Sequence, residues 1–391
     1  MSPPPPLSGF DLTPRTRVVF EPGSLARLGT LARELGGTRA LLVTDPGLVA
    51  AGHAARAEAS LRQAGLAIAL YDAVRENPTT VDVAQCVAVA AREGIDLIVG
   101  FGGGSSMDTA RGTNFLHTNG GEMKDYWGVG KATRPMLPMI AVPTTAGTGS
   151  ECQSAALIAD AATHQKMACL DPKAAARVAL LDPELTLSLP RRVTAVSGID
   201  ALSHALETAV TRKRTPVSRI HSTEAFCLAI EALPRVLSAP NDLDARARMQ
   251  LAAAFAGTAI EQSMLGAVHA AANPLTARFN VVHGAAVGLL LVPVIRYNAA
   301  EPLARNAYAR LAVAAGLAGT HLPEAAAVEA LLEALPPLLE AAGIPATLTR
   351  AGVDPASIPD LATDASHQWT ANFNPRLIAA SDFSRIYESI A

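Results

Sequence analysis

The apolar residues in the first half of the chain fall into short runs separated by longer stretches rich in alanine and leucine. The runs lie at 17–20, 40–44, 67–71, 97–101 and 139–143. Strand-like runs that alternate with helical stretches are typical of a parallel sheet covered by helices. The run 97–100 is apolar at every position, which predicts a strand buried on both of its faces.

The second half of the chain has a different pattern. After short extended pieces at 155–158 and 178–181, almost every residue from Arg191 onward fits a helix. Apolar residues recur at the i, i+3, i+4 spacing of a helix face in the segments 193–209, 219–233, 243–265 and 324–335. We therefore predict an α/β domain over residues 1–188 and an all-helical domain over residues 189–391.

Composition and charge narrow the possible partners. The chain has 391 residues, of which 50% are hydrophobic and 17% charged, so it can bury a large core in more than one domain. A net charge of −3 without a block of lysines and arginines argues against nucleic acid as a partner. The longest apolar run, 285–295, is too short for a membrane helix, so no membrane partner is expected.

The cysteines and the first residues bear on location. Cys86, Cys152, Cys169 and Cys227 show no CxxC spacing, which favours reduced thiols and therefore a cytoplasmic protein. The opening MSPPPPLSGF lacks the apolar stretch of a signal peptide, and its prolines predict an extended arm.

Two loops rich in glycine and hydroxyl groups follow predicted strands. The first, GFGGGSSMD at 100–108, opens a helical segment, where glycines and free helix amides suit a pyrophosphate. The alternative is an ordinary tight turn with Ser105 or Ser106 as the helix N-cap. The second, PTTAGTGSE at 143–151, follows the next strand. Both loops come at carboxyl ends of strands, where open α/β sheets bind ligands, so we predict a nucleotide site there.

Asp45 ends the predicted strand LLVTD at 41–45. A carboxylate at a strand end can accept hydrogen bonds from ribose hydroxyls and would repel a 2′-phosphate, which favours NAD over NADP. Asp45 could equally be the N-cap of a helix that begins at Pro46.

The helical half contains a candidate metal site. Asp200 and His204 are four residues apart on one predicted helix, so their side chains share a face. His269 comes late in another predicted helix, and His283 follows 14 residues later. One carboxylate and three imidazoles could surround a divalent cation and leave a position open for a substrate oxygen. The alternative is that these are ordinary hydrogen-bonded core residues.

Four strings in this order carry a resemblance to a known family. They are GGGSSMD at 102–108, PTTAGTGSE at 143–151, GIDALSHALE at 198–207 and HAAANPLTARFNVVHG at 269–284. Together they resemble the iron-containing (group III) alcohol dehydrogenases, over nearly the whole chain. The resemblance implies the dehydroquinate synthase-like fold, with a Rossmann-like N-terminal domain and a helical metal-binding C-terminal domain.

The resemblance also implies roles for individual residues. It implies a metal, usually Fe(II) and sometimes Zn(II), held by Asp200, His204, His269 and His283. It implies that NAD contacts two loops and three further side chains, namely Gly102, Gly103, Gly104, Ser105, Asp108, Thr144, Thr145, Gly147, Thr148, Ser150, Asp45, Asn77 and Lys166. A homodimer or a larger homo-oligomer, with an N-terminal strand near the interface, is implied as well.

One position departs from the family pattern. Many members have a histidine four residues after the ligand that matches His269, whereas this chain has Asn273. An amide cannot titrate, so Asn273 could only orient groups by hydrogen bonding, while protons travel by another route. Asn273 and His283 are our candidate catalytic residues.

The sequence thus predicts a metal-dependent NAD(H) oxidoreductase that interconverts a small primary alcohol or diol and its aldehyde, with the metal as Lewis acid. Other enzymes could use the same scaffold. A hydroxyacid-oxoacid transhydrogenase, or a reductase of carboxylate- or phosphonate-bearing aldehydes, would share every motif but would need a cationic pocket residue. A lyase similar to dehydroquinate synthase would need a phosphate-binding cluster of lysine and arginine. A non-catalytic nucleotide-binding protein would have no use for the four ligands.

Overall fold

The computed structural model describes residues 10–163 and 165–391. The predicted N-terminal arm lies almost entirely outside this range. The chain divides into two compact units, Leu12–Leu189 and Pro190–Ala391. The first contains a parallel sheet with helices and the second is helical throughout, which confirms the predicted fold class.

The first unit is built on a six-stranded sheet in which every pairing is parallel, in the order β1-β9-β6-β4-β2-β3. A second, smaller sheet has the order β5-β8-β7, with β7 and β8 antiparallel. The strands are β1 (Arg17–Phe20), β2 (Arg39–Val43), β3 (Ala67–Tyr71), β4 (Leu97–Gly102), β5 (Gly128–Val129), β6 (Met139–Pro143), β7 (Ala155–Ala159), β8 (Lys166–Leu170) and β9 (Val178–Leu181).

Five helices accompany these strands: α1 (Leu28–Glu34), α2 (Pro46–Ala50), α3 (His53–Gln63), α4 (Thr80–Glu93) and α5 (Gly104–Asn119). Their apolar residues and the central strands form two clusters of buried residues, each containing side chains from β2 and β4. All six residues of β4 are buried, as its uninterrupted apolar pattern predicts. The two predicted nucleotide loops follow β4 and β6, which are neighbours in the sheet.

The second unit contains nine helices within the described residues. They are α6 (Arg191–Val210), α7 (Pro216–Ser238), α8 (Leu243–Glu261), α9 (Ala267–Phe279), α10 (His283–Asn298), α11 (Pro302–Ala314), α12 (Glu324–Ala341), α13 (Ile358–His367) and α14 (Ala380–Glu388). None of the helices in the described ranges has the length and apolar content that crossing a bilayer demands.

Helix α6 lies at the centre of this unit. It packs against α7, α8, α10 and α11, and all of its residues from 198 to 210 are buried. Gly198 permits the close approach, because a Cβ there would overlap the side chain of Leu233 and lie 3.2 Å from Met249. A helix buried on all sides provides a rigid support for polar side chains held inside the unit.

The helix predicted over 243–265 is shorter than expected, because α8 ends at Glu261. The residues that follow form a turn into Gly266, the N-cap of α9. A buried carboxylate, that of Glu207, accepts hydrogen bonds from the backbone N–H groups of Gly266 and Val268 at 3.0 and 2.8 Å. This tertiary contact begins α9 at a place where the apolar periodicity alone would predict that α8 continues.

Candidate active site

Four predicted metal ligands come together in the helical unit. Asp200 and His204 project from consecutive turns of α6, while His269 lies in the first turn of α9 and His283 is the first residue of α10. The prediction that His269 comes late in its helix is wrong, because the glycine at 266 separates α8 from α9. This position favours a metal site, because His269 and His283 both lie at helix N-termini that can approach α6.

The nitrogen and oxygen atoms of this cluster have the spacing of ligands around one ion. Asp200 Oδ1 lies 3.4, 3.5 and 3.8 Å from the Nε2 atoms of His204, His269 and His283. The Nε2 atoms of His204 and His269 are 3.0 Å apart. Four atoms bound tetrahedrally at 2.0–2.2 Å would be about 3.4 Å from one another.

The chemistry of the donor set also fits a divalent cation. Within the described residues, no hydrogen bond is made by Asp200 Oδ1, although it is buried and surrounded by imidazoles. A buried carboxylate oxygen without a hydrogen bond is costly unless another group satisfies it. Asp200, His269 and His283 each direct a ligand atom into the same small space. These three residues therefore fit the metal that the sequence predicts, and His204, whose Nε2 lies 3.4 Å from Asp200 Oδ1 and 3.0 Å from His269 Nε2, could complete the set.

Glu207 fixes the orientation and tautomer of His269. Its Oε2 accepts a short hydrogen bond from His269 Nδ1, while its other oxygen accepts the two backbone bonds that begin α9. When His269 is neutral, its remaining proton lies on Nδ1, so Nε2 can present a lone pair to a cation. A carboxylate that orients an imidazole in this way also makes it a stronger metal ligand.

Two glycines let the histidines approach α6. A Cβ at Gly284 would overlap the backbone carbonyl oxygen of Val196, so only glycine lets α10 lie this close to α6. A Cβ at Gly266 would lie 3.1 Å from Asn374 Oδ1 and 3.2 Å from Glu207 Oε1. Asn374 completes this end of α9, because its Oδ1 accepts a hydrogen bond from the N–H of Ala267 at 3.2 Å.

Burial and charge act in opposite directions on the cluster. Burial would raise the pKa of the Asp200 carboxyl, but the neighbouring charges of His204, His283 and His269 hold it below its usual range. Burial likewise lowers the pKa of His269, yet Glu207 and Asp200 outweigh this effect and raise it to about 9. Both histidines nearest to Asp200 are buried, whereas 38% of the His283 side chain is exposed. A substrate oxygen could therefore reach the cluster past His283.

Asn273, the candidate catalytic amide, lies one turn after His269 on α9. Its Nδ2 donates a 3.0 Å hydrogen bond to Oε1 of Gln368 in the segment after α13. The contact fixes the amide orientation, with the oxygen of Asn273 left as the acceptor. Sequence reasoning did not single out Gln368.

The two predicted nucleotide loops lie against each other in the first unit. Gly102 pairs with Pro143 in the register of β4 and β6, and the N–H of Thr144 donates to the carbonyl of Gly102 at 3.0 Å. Gly103 and Gly104 face the second loop. A Cβ at Gly103 would lie 3.3 Å from Thr145, and a Cβ at Gly104 would lie 3.0 Å from Thr148. The loops thus share one surface at the carboxyl ends of neighbouring strands.

The glycine loop has the conformation that its sequence predicts. Gly102 has a φ of +149°, and a Cβ there would overlap the hydroxyl of Ser106. The N-cap of α5 is Gly103, so the alternative in which Ser105 or Ser106 caps this helix is wrong. A helix N-terminus formed by glycines leaves its amides open to a phosphate.

Three more predicted cofactor residues gather beside this helix. The backbone N–H of Asn77 donates to Ser105 Oγ at 3.3 Å, and Lys166 Nζ donates to Asn77 Oδ1 at 3.5 Å. Asn77 has a left-handed φ of +54°. Burial raises the pKa of Asp108 to about 6, against the opposing charges of Lys166 and Arg111.

Asp45, Gly147 and Ser150 complete the predicted set. Asp45 lies beyond the end of β2 and is the N-cap of α2, with Oδ1 accepting from the N–H of Leu48 at 3.1 Å. The structure thus contains the N-cap that the sequence offered as one of two interpretations. Gly147 is buried, and the carbonyl of Ser150 accepts a short hydrogen bond from the buried Arg111.

Sequence reasoning missed Glu207, Gln368, Asn374 and Arg111. Glu207 lies three residues after His204, inside the string GIDALSHALE, and so projects from the metal-facing side of α6. That spacing is a signal that could have identified it. The other three contact residues that are 39 to 107 positions away in the chain, so no local pattern indicates them.

Comparisons with known proteins identify the family of this chain. Residues 14–183 match the family model described as iron-containing alcohol dehydrogenase, and residues 194–391 match the model of the C-terminal part of that family. The NAD-dependent methanol dehydrogenase of Bacillus methanolicus is 33% identical over 98% of this chain and 100% of its own length. The 1,3-propanediol dehydrogenase of Klebsiella pneumoniae is 35% identical over 91% of this chain and 92% of its own length.

Solved structures give the same result. A crystal structure of a 1,3-propanediol oxidoreductase superposes with a TM-score of 0.94 at 33% identity, over 98% of this chain and 100% of that one. The expectations of an alcohol dehydrogenase that uses NAD, with iron as the metal, are confirmed at the level of the family and its named members. The two family models together cover both units, and the chain belongs to the iron-containing alcohol dehydrogenase family.

Proposed function

We propose that this protein interconverts a small primary alcohol or diol and its aldehyde, with NAD(H) as the hydride carrier. The main support is the cluster of Asp200, His204, His269 and His283, whose ligand-atom distances suit a metal site. The cluster occurs in a chain of the iron-containing alcohol dehydrogenase family. The relatives named as methanol and 1,3-propanediol dehydrogenases support a short alcohol or diol as the substrate.

In this proposal Asp200 and the three histidines hold Fe(II), with Zn(II) as an alternative. A divalent cation supplies Lewis acidity toward a substrate oxygen, and NAD supplies the hydride acceptor. One carboxylate and three neutral imidazoles leave a net positive charge, which stabilises the negative charge that develops on that oxygen. Glu207 keeps His269 in the tautomer that can bind a cation.

The remaining predicted residues serve binding and orientation. His283 lies on the exposed side of the cluster, where the substrate oxygen would arrive. Asn273 cannot exchange a proton, so it orients groups by hydrogen bonding, and protons leave through substrate or ribose hydroxyls and water. The loop at 102–108 binds the pyrophosphate of NAD, and the loop at 143–151 lies beside the cofactor. Asn77 contacts the adenosine side, and Lys166 reaches a ribose.

We also propose a homodimer or larger homo-oligomer that works in the cytoplasm. Strand β1 is at the edge of the six-stranded sheet and exposes the apolar side chains of Val18 and Phe20, which supports pairing of two copies there. None of the four cysteines, all within the described residues, forms a disulfide, which supports a reducing compartment.

The test of the function replaces ligands and measures metal and activity together. His269→Ala and His283→Ala should each lose bound metal, by elemental analysis of anaerobically purified protein, along with NADH production from short alcohols and diols. We expect activity to fall by more than about a hundredfold, since removing a ligand costs more than removing its hydrogen-bond partner. His321→Ala, an exposed histidine of the same unit, is the matched control.

Circular dichroism should show both variants folded. If both kept metal and metal-dependent turnover, the assignment of the site would be wrong. Stoichiometric metal without turnover on any alcohol would instead favour the transhydrogenase or an acid-bearing aldehyde.

The cofactor preference has its own test. Asp45→Gly should narrow the ratio of the catalytic efficiencies with NAD and NADP, because it removes the carboxylate that would repel a 2′-phosphate. The ratio of kcat/KM values with the two cofactors measures this. An unchanged ratio would show that Asp45 serves only as the N-cap of α2.

A further inference from the structure

A groove with a volume of about 450 Å³ lies between α7 and α11. Residues of α7 form one wall, the face of α11 that runs from Leu303 to Ala314 forms the other, and the end of α6 closes the groove at Ala209. None of its lining residues belongs to the metal cluster or to the cofactor loops. Cavities that hold small molecules have volumes of about 300–1,000 Å³, so this groove is large enough for a ligand of its own.

The groove concentrates positive charge. Arg214, Arg219 and Arg310 line it, against the single carboxylate of Glu224. Within the described part of the chain, none of these three guanidinium groups forms an ion pair with a carboxylate, and Glu301 acts on Arg214 only as a more distant charge. Burial and the like charge of Arg219 both lower the pKa of Arg214. A partly desolvated guanidinium that has a like charge beside it and no ion-paired carboxylate favours the binding of an anion.

Arg214 is fixed in place. Its Nη1 donates to the carbonyl oxygens of Val210 and Thr211, at 3.1 and 3.5 Å, in the segment that follows α6. The guanidinium therefore has little rotational freedom left to lose when it binds an anion. A planar guanidinium that is already oriented is well suited to a carboxylate, which it can contact through two parallel hydrogen bonds.

The same groove also exposes apolar surface. Ile220 is 66% exposed and Leu303 is 47% exposed, and both line the groove. Apolar side chains this exposed, beside unpaired arginines, suit a ligand with both a charged and a hydrocarbon part. Inorganic phosphate would leave the apolar surface uncovered, and a neutral alcohol would leave the arginines without a counter-ion.

We propose that the groove between α7 and α11 binds a small amphipathic carboxylate, separately from the alcohol and NAD(H) sites. The three arginines hold its carboxylate, and its hydrocarbon chain lies on Ile220 and Leu303. Octanoate is a suitable probe, because it combines one carboxylate with a short hydrocarbon chain.

Isothermal titration of octanoate into the metal-loaded protein tests the proposal. Arg219→Gln combined with Arg310→Gln should weaken binding by about tenfold or more, since charge-assisted hydrogen bonds are lost. Ile220→Ser should weaken binding as well. Arg192→Gln combined with Arg350→Gln, two exposed arginines of the same unit, is the matched control and should bind as the parent does. Arg214 stays unchanged because it also holds the end of α6.

Octanoate could also bind at the metal site, so a second comparison distinguishes binding there from binding in the groove. The groove site should survive in His283→Ala, and NADH production in the Arg219/Arg310 variant should equal that of the parent. Three results would each overturn the proposal. The first is an unchanged octanoate affinity in the Arg219/Arg310 variant, and the second is loss of octanoate binding in His283→Ala but not in the Arg219/Arg310 variant. The third is binding of inorganic phosphate or of 1-octanol as tightly as octanoate. Failure of the octanoate site leaves the dehydrogenase function standing, because that function is measured by turnover.

Discussion

The carboxylate of Glu207 connects the start of a helix to the orientation of a metal ligand. One oxygen accepts hydrogen bonds from the two backbone N–H groups that begin α9, and the other accepts a hydrogen bond from His269 Nδ1. Both functions depend on the negative charge, because an amide at this position would offer one acceptor oxygen and an N–H₂ group. In one orientation of this amide its N–H₂ group would face the proton on His269 Nδ1, and in the other it would face the N–H groups that begin α9.

Glu207→Gln should therefore weaken metal binding without unfolding the protein. We expect the dissociation constant for Zn(II) to rise about 10- to 100-fold, because the tautomer of His269 is no longer fixed. Competition with a chelator measures the constant. Glu340→Gln, at an exposed position of α12, should leave it unchanged. An unchanged Zn(II) affinity in Glu207→Gln would show that the carboxylate only begins α9.

At this scale the sequence predicts the candidate ligands but not the residues that orient them. The four-residue spacing of Asp200 and His204 puts both on one helix face, and this is a local property. Glu207 shares that face, yet a glutamate within a helix is usually exposed, so only its contacts with α9 distinguish it. The pairing of Asn273 with Gln368 joins residues 95 positions apart, and no periodicity indicates it.

At the scale of elements, local pattern predicts where most strands and helices lie and fails where a tertiary contact decides a boundary. The strands at 67–71 and 139–143 have the predicted limits, because sheet burial and apolar runs coincide there. The predicted helix 243–265 is too long, because the capture of the Gly266 and Val268 amides by Glu207 begins α9. The same event puts His269 at the start of a helix rather than near its end.

The loop after β6 contains a buried carboxyl whose protonation should affect stability. Glu151 is 2% exposed, and no hydrogen bond from the described residues reaches its Oε1. Burial raises its pKa from 4.5 to about 7. Between these values the folded chain keeps a proton that the unfolded chain has released. The folded state therefore binds more protons, and its stability falls as the pH rises through this window.

Glu151→Gln should remove this loss. Relative to the parent, the free energy of unfolding of the variant should increase from about pH 4 to about pH 8 by an amount on the order of 3 kcal/mol and then level off. Denaturant unfolding at a series of pH values measures the difference, in which groups common to both proteins cancel. Glu21→Gln, at an exposed position, should show no such slope. A difference that does not vary with pH would mean that Glu151 is ionised in the folded protein.

At the scale of the whole molecule, the exposed edge of the six-stranded sheet bears on the proposed homodimer. Strand β1 is paired only with β9 among the described strands, and its outer edge offers unpaired backbone groups. Val18 and Phe20 point to the same face and are 45% and 37% exposed, whereas Val19 between them is buried. An exposed edge with an apolar face is suited to pairing with an identical strand around a two-fold axis.

Replacing both apolar residues with lysine should therefore weaken self-association. In Val18→Lys combined with Phe20→Lys, like charges would face each other across the two-fold axis, and the dimer dissociation constant should rise about a hundredfold. Sedimentation velocity over a range of protein concentrations measures this constant. Val81→Lys is the matched control, because Val81 is 48% exposed and lies on α4 rather than on β1. A double variant that kept the parent's dimer constant would exclude β1 as the interface and leave another surface to join the copies.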